Sequence, residues 1–366
     1  MFLRRRFEAA STPWAPWLRT LARLVVGAAT VTLIVEALGF PDEPAAWAVV
    51  AVAVVVGDTT GQTVAASWNR VEGSVVGCLS GAVVQLALPV VPLALRVVIA
   101  MALCLLACRV LRIGAGWRLG VALAGFFVFV PGVQEWQTVG WRLSATLLGI
   151  AAGLLAVLFV APDTAAKRLR DGIRSALTSI ARAVDDDLRS WFDGATRDAP
   201  ASMPNLAALR PLVADRRYEM SARGLQPDVA SGVLDGLTLA AAGVERLDRH
   251  VLPGSGVGLN MHVADDLRRV AAAISTACAV AARSLADPSA HGPARADARL
   301  VLQAVEGDLE DAIERLRAKG VTPDARAAEL TALFGVVNAL GLVALGLARV
   351  LGALGVPGGG SDTAGR

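Results

Sequence analysis

The sequence predicts an all-α protein in two parts: a six-helix transmembrane domain built as two three-helix repeats, then a cytoplasmic helical bundle. Three observations carry this reading. Long apolar runs crowd into roughly the first 160 positions of a 366-residue chain that is 55% apolar. The mean hydropathy of +0.55 is too high for a soluble protein of this length. A glycine-spaced segment recurs at a fixed offset, and no stretch shows the period-two alternation of a strand.

The glycine segment begins at Arg70 and runs through Glu72, Gly73, Ser74, Gly77 and Gly81 to Leu88. Gly73, Gly77 and Gly81 stand four apart, so they share one helix face, and a bare face lets a second helix approach closely. Arg70 and Glu72 read as the charged head of this helix. The pattern returns 72 positions later. There Arg142 aligns with Arg70, Gly149 with Gly77, Gly153 with Gly81, Thr146 with Ser74, Ala145 with Gly73, and Gln134 with Gln62. This is an internal repeat.

In chain order, residues 1–23 form a basic segment with Arg4, Arg5, Arg6, Arg19 and Arg23. The apolar run Leu24–Phe40 follows. It is long, contains Glu36 and lacks a small-x-small cleavage site, so it reads as a retained membrane helix rather than a signal peptide. Further runs at Ala45–Val56, Val71–Leu88, Val90–Ala107, Trp117–Val130 and Val139–Val160 complete a transmembrane domain over 24–161. Unalternating runs of this kind cross hydrocarbon as helices.

Arginine and lysine gather at the N-terminus, between Arg109 and Arg118, and at Lys167–Arg170. The positive-inside rule then places both termini in the cytoplasm of a multi-pass cell-membrane protein. Three helices per repeat invert the second copy, a plan shared with secondary transporters. The second and fifth runs are equivalent and unusually short. They lead into Asp58, Thr59, Thr60 and Gln62 in one copy and Gln134 in the other. Paired short segments of this kind point to a midplane site, so these residues are candidates for lining a substrate path.

Past Pro162 the character changes to charged amphipathic helix, giving a helical domain over 162–355 and a flexible tail over 356–366. Leu330–Ala348 is uncharged and long enough to span. It is read here as a core helix of the bundle, with a seventh span as the alternative. Asp185–Asp187 and Asp265–Asp266 read as solvated helix faces.

Composition and motifs exclude several classes. Net charge is only +3, and no basic, aromatic-interleaved patch suggests nucleic acid. No phosphate-binding loop or hydrolase, metalloprotease or kinase signature is present, so no catalytic residue and no enzyme is expected. His250, His262 and His291 are scattered, and Cys78, Cys104, Cys108 and Cys278 read as apolar filler. No metal, cofactor or disulfide is expected.

Charged residues inside membrane segments are default functional candidates. Glu36 and Arg96 both fall near the outer side, as an ion pair or with Glu36 as a proton-coupling carboxylate. Arg70 and Arg142 fall on opposite sides under an inverted repeat, where each would draw an organic anion to a cavity mouth. The structural alternative for them is helix capping or pairing with Glu72.

Arg70-x-x-Gly73-Ser74-x-x-Gly77 resembles the R-x-x-G-T-x-x-G signature of the fusaric-acid-resistance (FUSC), or aromatic acid exporter, family. The six-helix domain followed by a helical domain is similar to that family's layout, and to that of the more distant plant aluminium-activated malate transporters. Ser74 stands where the signature has Thr, and Ala145 where its second copy would have Gly. The resemblance implies an integral membrane transporter exporting small organic or aromatic anions. It also implies a homo-oligomer, because larger relatives carry two such units in one chain. A passive anion channel of the malate-transporter type and a membrane-anchored scaffold without transport are the alternatives.

Overall fold

A computed structural model describes residues 15–129, 136–160, 164–193, 203–219, 225–251, 257–285, 291–318 and 327–355. Among them all regular structure is helical: twelve α-helices and one short 3-10 turn. They divide into two compact units, Met1–Ala165 with Arg217–Met220, and Ala166–Arg216 with Ser221–Arg366.

The first unit holds α1 (Ala15–Ala37), α2 (Asp42–Val55), α3 (Thr60–Ala87), α4 (Leu93–Val110), α5 (Trp117–Phe129) and α6 (Trp136–Phe159). Local chemistry sets the ends. Thr59 caps α3 by accepting from the Gln62 backbone N–H at 3.1 Å, and Asp42 and Glu43 occupy the first turn of α2. α1 closes through Gly39 at φ +66°, with Phe40 N–H donating to Val35 O and Gly39 N–H to Glu36 O. α4 closes the same way through Arg112 at φ 55°, with Ile113 N–H donating to Cys108 O and Arg112 N–H to Arg109 O. Both are Schellman closures, and they fall 73 positions apart.

The equivalence extends to packing. Gly77 meets the Gly120 carbonyl, and Gly149 meets the Ala48 carbonyl. Gly81 packs on Ala124 and Phe127, and Gly153 on Val52 and Val55. Each pair of contacts is related by 72 positions. One apolar cluster contains Val31, Val35, Val52 and, at its edge, Val49 and Leu148. A second contains Cys104, Cys108, Ala124 and, at its edge, Val121 and Val76. The same offsets, 73 for α1 with α4 and 72 elsewhere, map one onto the other. Cys104 and Cys108 thereby stand where the first cluster has Val31 and Val35, which is the apolar-filler role.

Nearly all the large exposed apolar side chains lie in this unit, among them Trp17, Leu33, Trp68, Leu106 and Phe159. α1, α4 and α6 contain windows long and apolar enough to cross a membrane, as does α12 below; α5 is apolar but shorter. α2 and α5, with 14 and 13 residues, reach only ~20 Å each.

The second unit contains α7 (Ala165–Asp193), a 3-10 turn (Leu206–Leu209), α8 (Arg210–Arg216), α9 (Pro227–His250), α10 (Val257–Ser284), α11 (Gly292–Ala318) and α12 (Ala327–Gly355). α7 buries Leu169, Ile173, Leu177, Ile180, Val184, Leu188 and Trp191 along one stripe. That stripe also carries Asp187, which is buried, whereas Asp185 and Asp186 are exposed. The reading of all three aspartates as a solvated face therefore fails at Asp187, because its position follows the apolar period. Asp266 also departs from that reading. Its side chain is 13% exposed and held at 3.0 Å by Arg315.

α12 packs along α9, where Gly236, Gly243 and Gly346 admit close backbone approach. Its Val336, Leu340, Val343, Leu347 and Val350 are fully buried, which gives it the role of a core helix in this unit. Cys278 lies in the same core. Burial pushes its thiol up to about 12, so it stays protonated and unreactive at neutral pH.

A methyl group at Gly77 or Gly149 has nowhere to go except into a facing carbonyl. Gly77→Ala and Gly149→Ala are each expected to lower the unfolding free energy by about 1–3 kcal/mol, read as a fall in Tm of the purified protein. Gly140→Ala, on the same helix as Gly149 but with nothing within 4 Å of the added carbon, is expected to be neutral or slightly stabilising.

Candidate functional site

Four helices of the first unit converge on one point. α3 contributes Arg70, Ser74 and Cys78, and α6 contributes Arg142 and Thr146. Both sets follow the i, i+4 spacing that aligns side chains on one face. α2 adds Trp47, and α5 adds Leu123, Phe126 and Phe127. They enclose a cavity of about 10 Å³, room for about one water molecule.

Both arginines are 4% exposed. One Nη of Arg142 bonds the carboxylate of Glu43, which reaches in from the first turn of α2. Its guanidinium carbon lies 4.9 Å from the centre of the Phe126 ring and 5.2 Å from that of Phe127. Phe126 meets Trp47 edge-on at 5.2 Å. These rings stabilise the buried cation through their negative faces. The other Arg142 donors, Nε and Nη1, have no hydrogen-bond partner among the described residues, nor do Arg70 Nε and Ser74 Oγ. Unmet buried donors are costly, and the residues that carry these line this one cavity.

The convergence corrects two expectations. Arg70 is not at a helix head. α3 starts at Thr60, so Arg70 lies ~15 Å along it, while Arg142 lies ~9 Å into α6. The two therefore meet at one cavity instead of guarding opposite mouths. Arg142 pairs with Glu43, and Glu72 forms no ion pair with Arg70 among the described residues.

The remaining path candidates go elsewhere. Asp58, Thr59 and Gln62 build the N-terminal cap of α3. Gln62 Oε1 accepts from Asp58 N–H at 3.0 Å, and Asp58 Oδ1 accepts from the Thr20 hydroxyl at 3.0 Å. None of the three lines the cavity. Gln134 lies outside the described residues. Glu36 is exposed, and Arg96 donates to Gln85 Oε1 at 2.9 Å, so the expected Glu36–Arg96 pair does not form. Gly73, Gly77, Gly81, Gly149 and Gly153 all serve close packing, as their spacing implies.

Residues 28–157 match the family described as fusaric acid resistance protein-like. This domain belongs to that family. The match begins in α1, ends in α6 and includes every residue of the cavity. Taken with the apolar helices, the match supports a multi-pass membrane protein that carries a domain of a membrane-transporter family. Comparison with curated proteins finds no match. Among the described residues of the fusaric acid resistance-like domain and the second unit, no three His, Cys, Asp or Glu side chains group as metal ligands.

Sequence reasoning missed Glu43, Trp47, Phe126 and Phe127. Glu43 reads as a loop acid until α2 is seen to start at Asp42. The aromatic residues sit inside apolar runs where nothing marks them. Ser74 and Thr146 were visible as repeat partners, and their distance of four from Arg70 and Arg142 was the available signal. Arg23 was also missed, in another role. Its Nε donates to Val160 O at 3.2 Å, and its Nη1 donates to Gly57 O at 3.2 Å and Asp58 O at 3.0 Å. It ties the C-terminal ends of α2 and α6, where carbonyls lack helical partners.

Arg23→Leu strands three carbonyls. It is expected to cost about 2–4 kcal/mol of stability, seen as a lower Tm of the purified protein. An unchanged Tm would move Arg23 out of this structural role.

Proposed function

We propose that the fusaric acid resistance-like domain is a six-helix membrane unit of two inverted three-helix repeats. On this reading it exports small organic anions, aromatic acids among them, through the Arg70–Arg142 cavity. One observation carries the reading: two buried arginines at equivalent positions, with unmet donors, face a single aromatic-walled cavity.

The recurrence of helix ends, glycine contacts and apolar clusters at offsets of 72 and 73 supports the repeat. An odd number of helices per copy inverts the second relative to the first, and a two-fold axis in the membrane plane explains why equivalent residues meet near its centre. The ~20 Å of α2 and of α5 fall short of a ~30 Å hydrocarbon core. Short helices there leave room for polar access from each side. The cavity is too small for an aromatic acid, so this is a closed state, and transport requires it to open. That favours a carrier over a permanently open anion channel. The basic loops favour a cell-membrane protein with both termini, and the helical second unit, in the cytoplasm.

The test is uptake of labelled benzoate by proteoliposomes holding the full chain. Arg70→Gln and Arg142→Gln are each expected to lower the initial rate by about tenfold or more, with unchanged elution on size exclusion. Uphill accumulation under an imposed pH gradient is expected of a carrier and excludes a channel. Rates within twofold of the parent protein in both variants would remove the cavity from the pathway.

A further inference from the structure

We propose that Glu43 sets substrate charge: by occupying Arg142 it leaves the cavity with one uncompensated positive charge, so that the site selects monovalent aromatic carboxylates over divalent ones. This deepens the transport reading above and rests on it.

The charged groups that line or reach the cavity are Arg70, Arg142 and Glu43. Arg142 is matched by the Glu43 carboxylate. Arg70 is not matched. The position equivalent to Glu43 in the second half, 72 residues on, is Ala115, and no other carboxylate bonds Arg70 among the described residues. The two halves thus hold equivalent arginines but only one carboxylate. A buried site tolerates the ligand charge that neutralises it and penalises any excess, because an uncompensated charge in low dielectric is costly. The sum here is one positive charge, and it calls for one negative charge on the ligand.

The walls specify the rest of the molecule. Phe126 and Phe127 already stack on Arg142, Trp47 meets Phe126 edge-on, and Leu123 closes the side. A flat ring bearing a single carboxylate suits these surfaces and the planar guanidinium fork. Glu43 sits on the first turn of α2, where the helix dipole favours its negative charge, so it stays on Arg142 while an arriving carboxylate takes the unmatched Arg70.

Proteoliposomes containing the full chain are assayed for labelled benzoate and labelled phthalate, one ring with one or two carboxylates, at near-neutral pH. The parent protein is expected to prefer benzoate. Glu43→Gln raises the site to two positive charges and is expected to shift the benzoate-to-phthalate rate ratio toward phthalate by about tenfold or more. Glu43→Asp keeps the parent ratio. Ala115→Glu places a carboxylate at the position equivalent to Glu43 and, where it reaches Arg70, is expected to lower uptake of both anions by about tenfold or more.

A ratio within twofold of the parent in Glu43→Gln overturns the proposal while leaving the Arg70 and Arg142 results intact. If Glu43→Gln does not fold, Glu43→Ser is read in its place: a benzoate-to-phthalate ratio within twofold of the parent overturns it. If the parent protein moves neither anion, both this inference and the transport reading beneath it are overturned.

Discussion

The close approach of helix backbones at glycine is the contact on which the membrane unit depends. Where α3 meets α5 and α2 meets α6, a glycine Cα faces a carbonyl oxygen directly. Lipid offers helices little hydrophobic reason to associate, since its chains are as apolar as leucine. Attraction must come from dense contact between backbones, and any Cβ at these points prevents it. The same approach draws Arg70 and Arg142, each one helical turn or two from such a glycine, into a shared interior. Helix packing and site formation thus come from one feature of the chain.

Burying two guanidinium groups in that interior is the opposing term. A buried ion is tolerated only when its donors are met, and the protein meets them unequally. Arg23, nearly fully buried, donates to three carbonyls and serves structure. Arg142 is partly satisfied, by one carboxylate and two aromatic faces. Arg70 has the least support. This gradient from satisfied to unsatisfied separates Arg23 from the two cavity arginines more sharply than their positions in the sequence do. The closed cavity of about 10 Å³ fits a resting state in which Glu43 holds Arg142.

Much of this was legible in the sequence, for physical reasons. Glycines four apart on a helix share one face, and long apolar runs without strand alternation read as helix, so the six helices of the first unit and their close packing followed. The short second and fifth helices and the core role of α12 were also readable. The offset of 72 was found in α3 and α6 but missed in α1 and α4, where an extra residue shifts it to 73. Without that shift the equivalence of Val35 with Cys108, or of Gly39 with Arg112, is invisible. Glu43 escaped notice because its partner lies 99 positions away and no local pattern encodes such a pairing. The polar run after α2 looked like a path lining but was spent on capping α3, a role that the Thr59-x-x-Gln62 spacing already suggested. Glu36 and Arg96 were paired by depth alone, and depth does not determine which way a side chain faces.

The central claim is that equivalent faces of α3 and α6 meet across one small cavity. Ser74 and Thr146 occupy those faces, one on each helix. With the four native cysteines replaced, Ser74→Cys and Thr146→Cys introduced together are expected to be joined within a single chain by a short bifunctional thiol reagent in native membranes, and each alone is not. Failure of the double variant to cross-link, or cross-linking only between chains, would contradict the shared cavity and the account built on it.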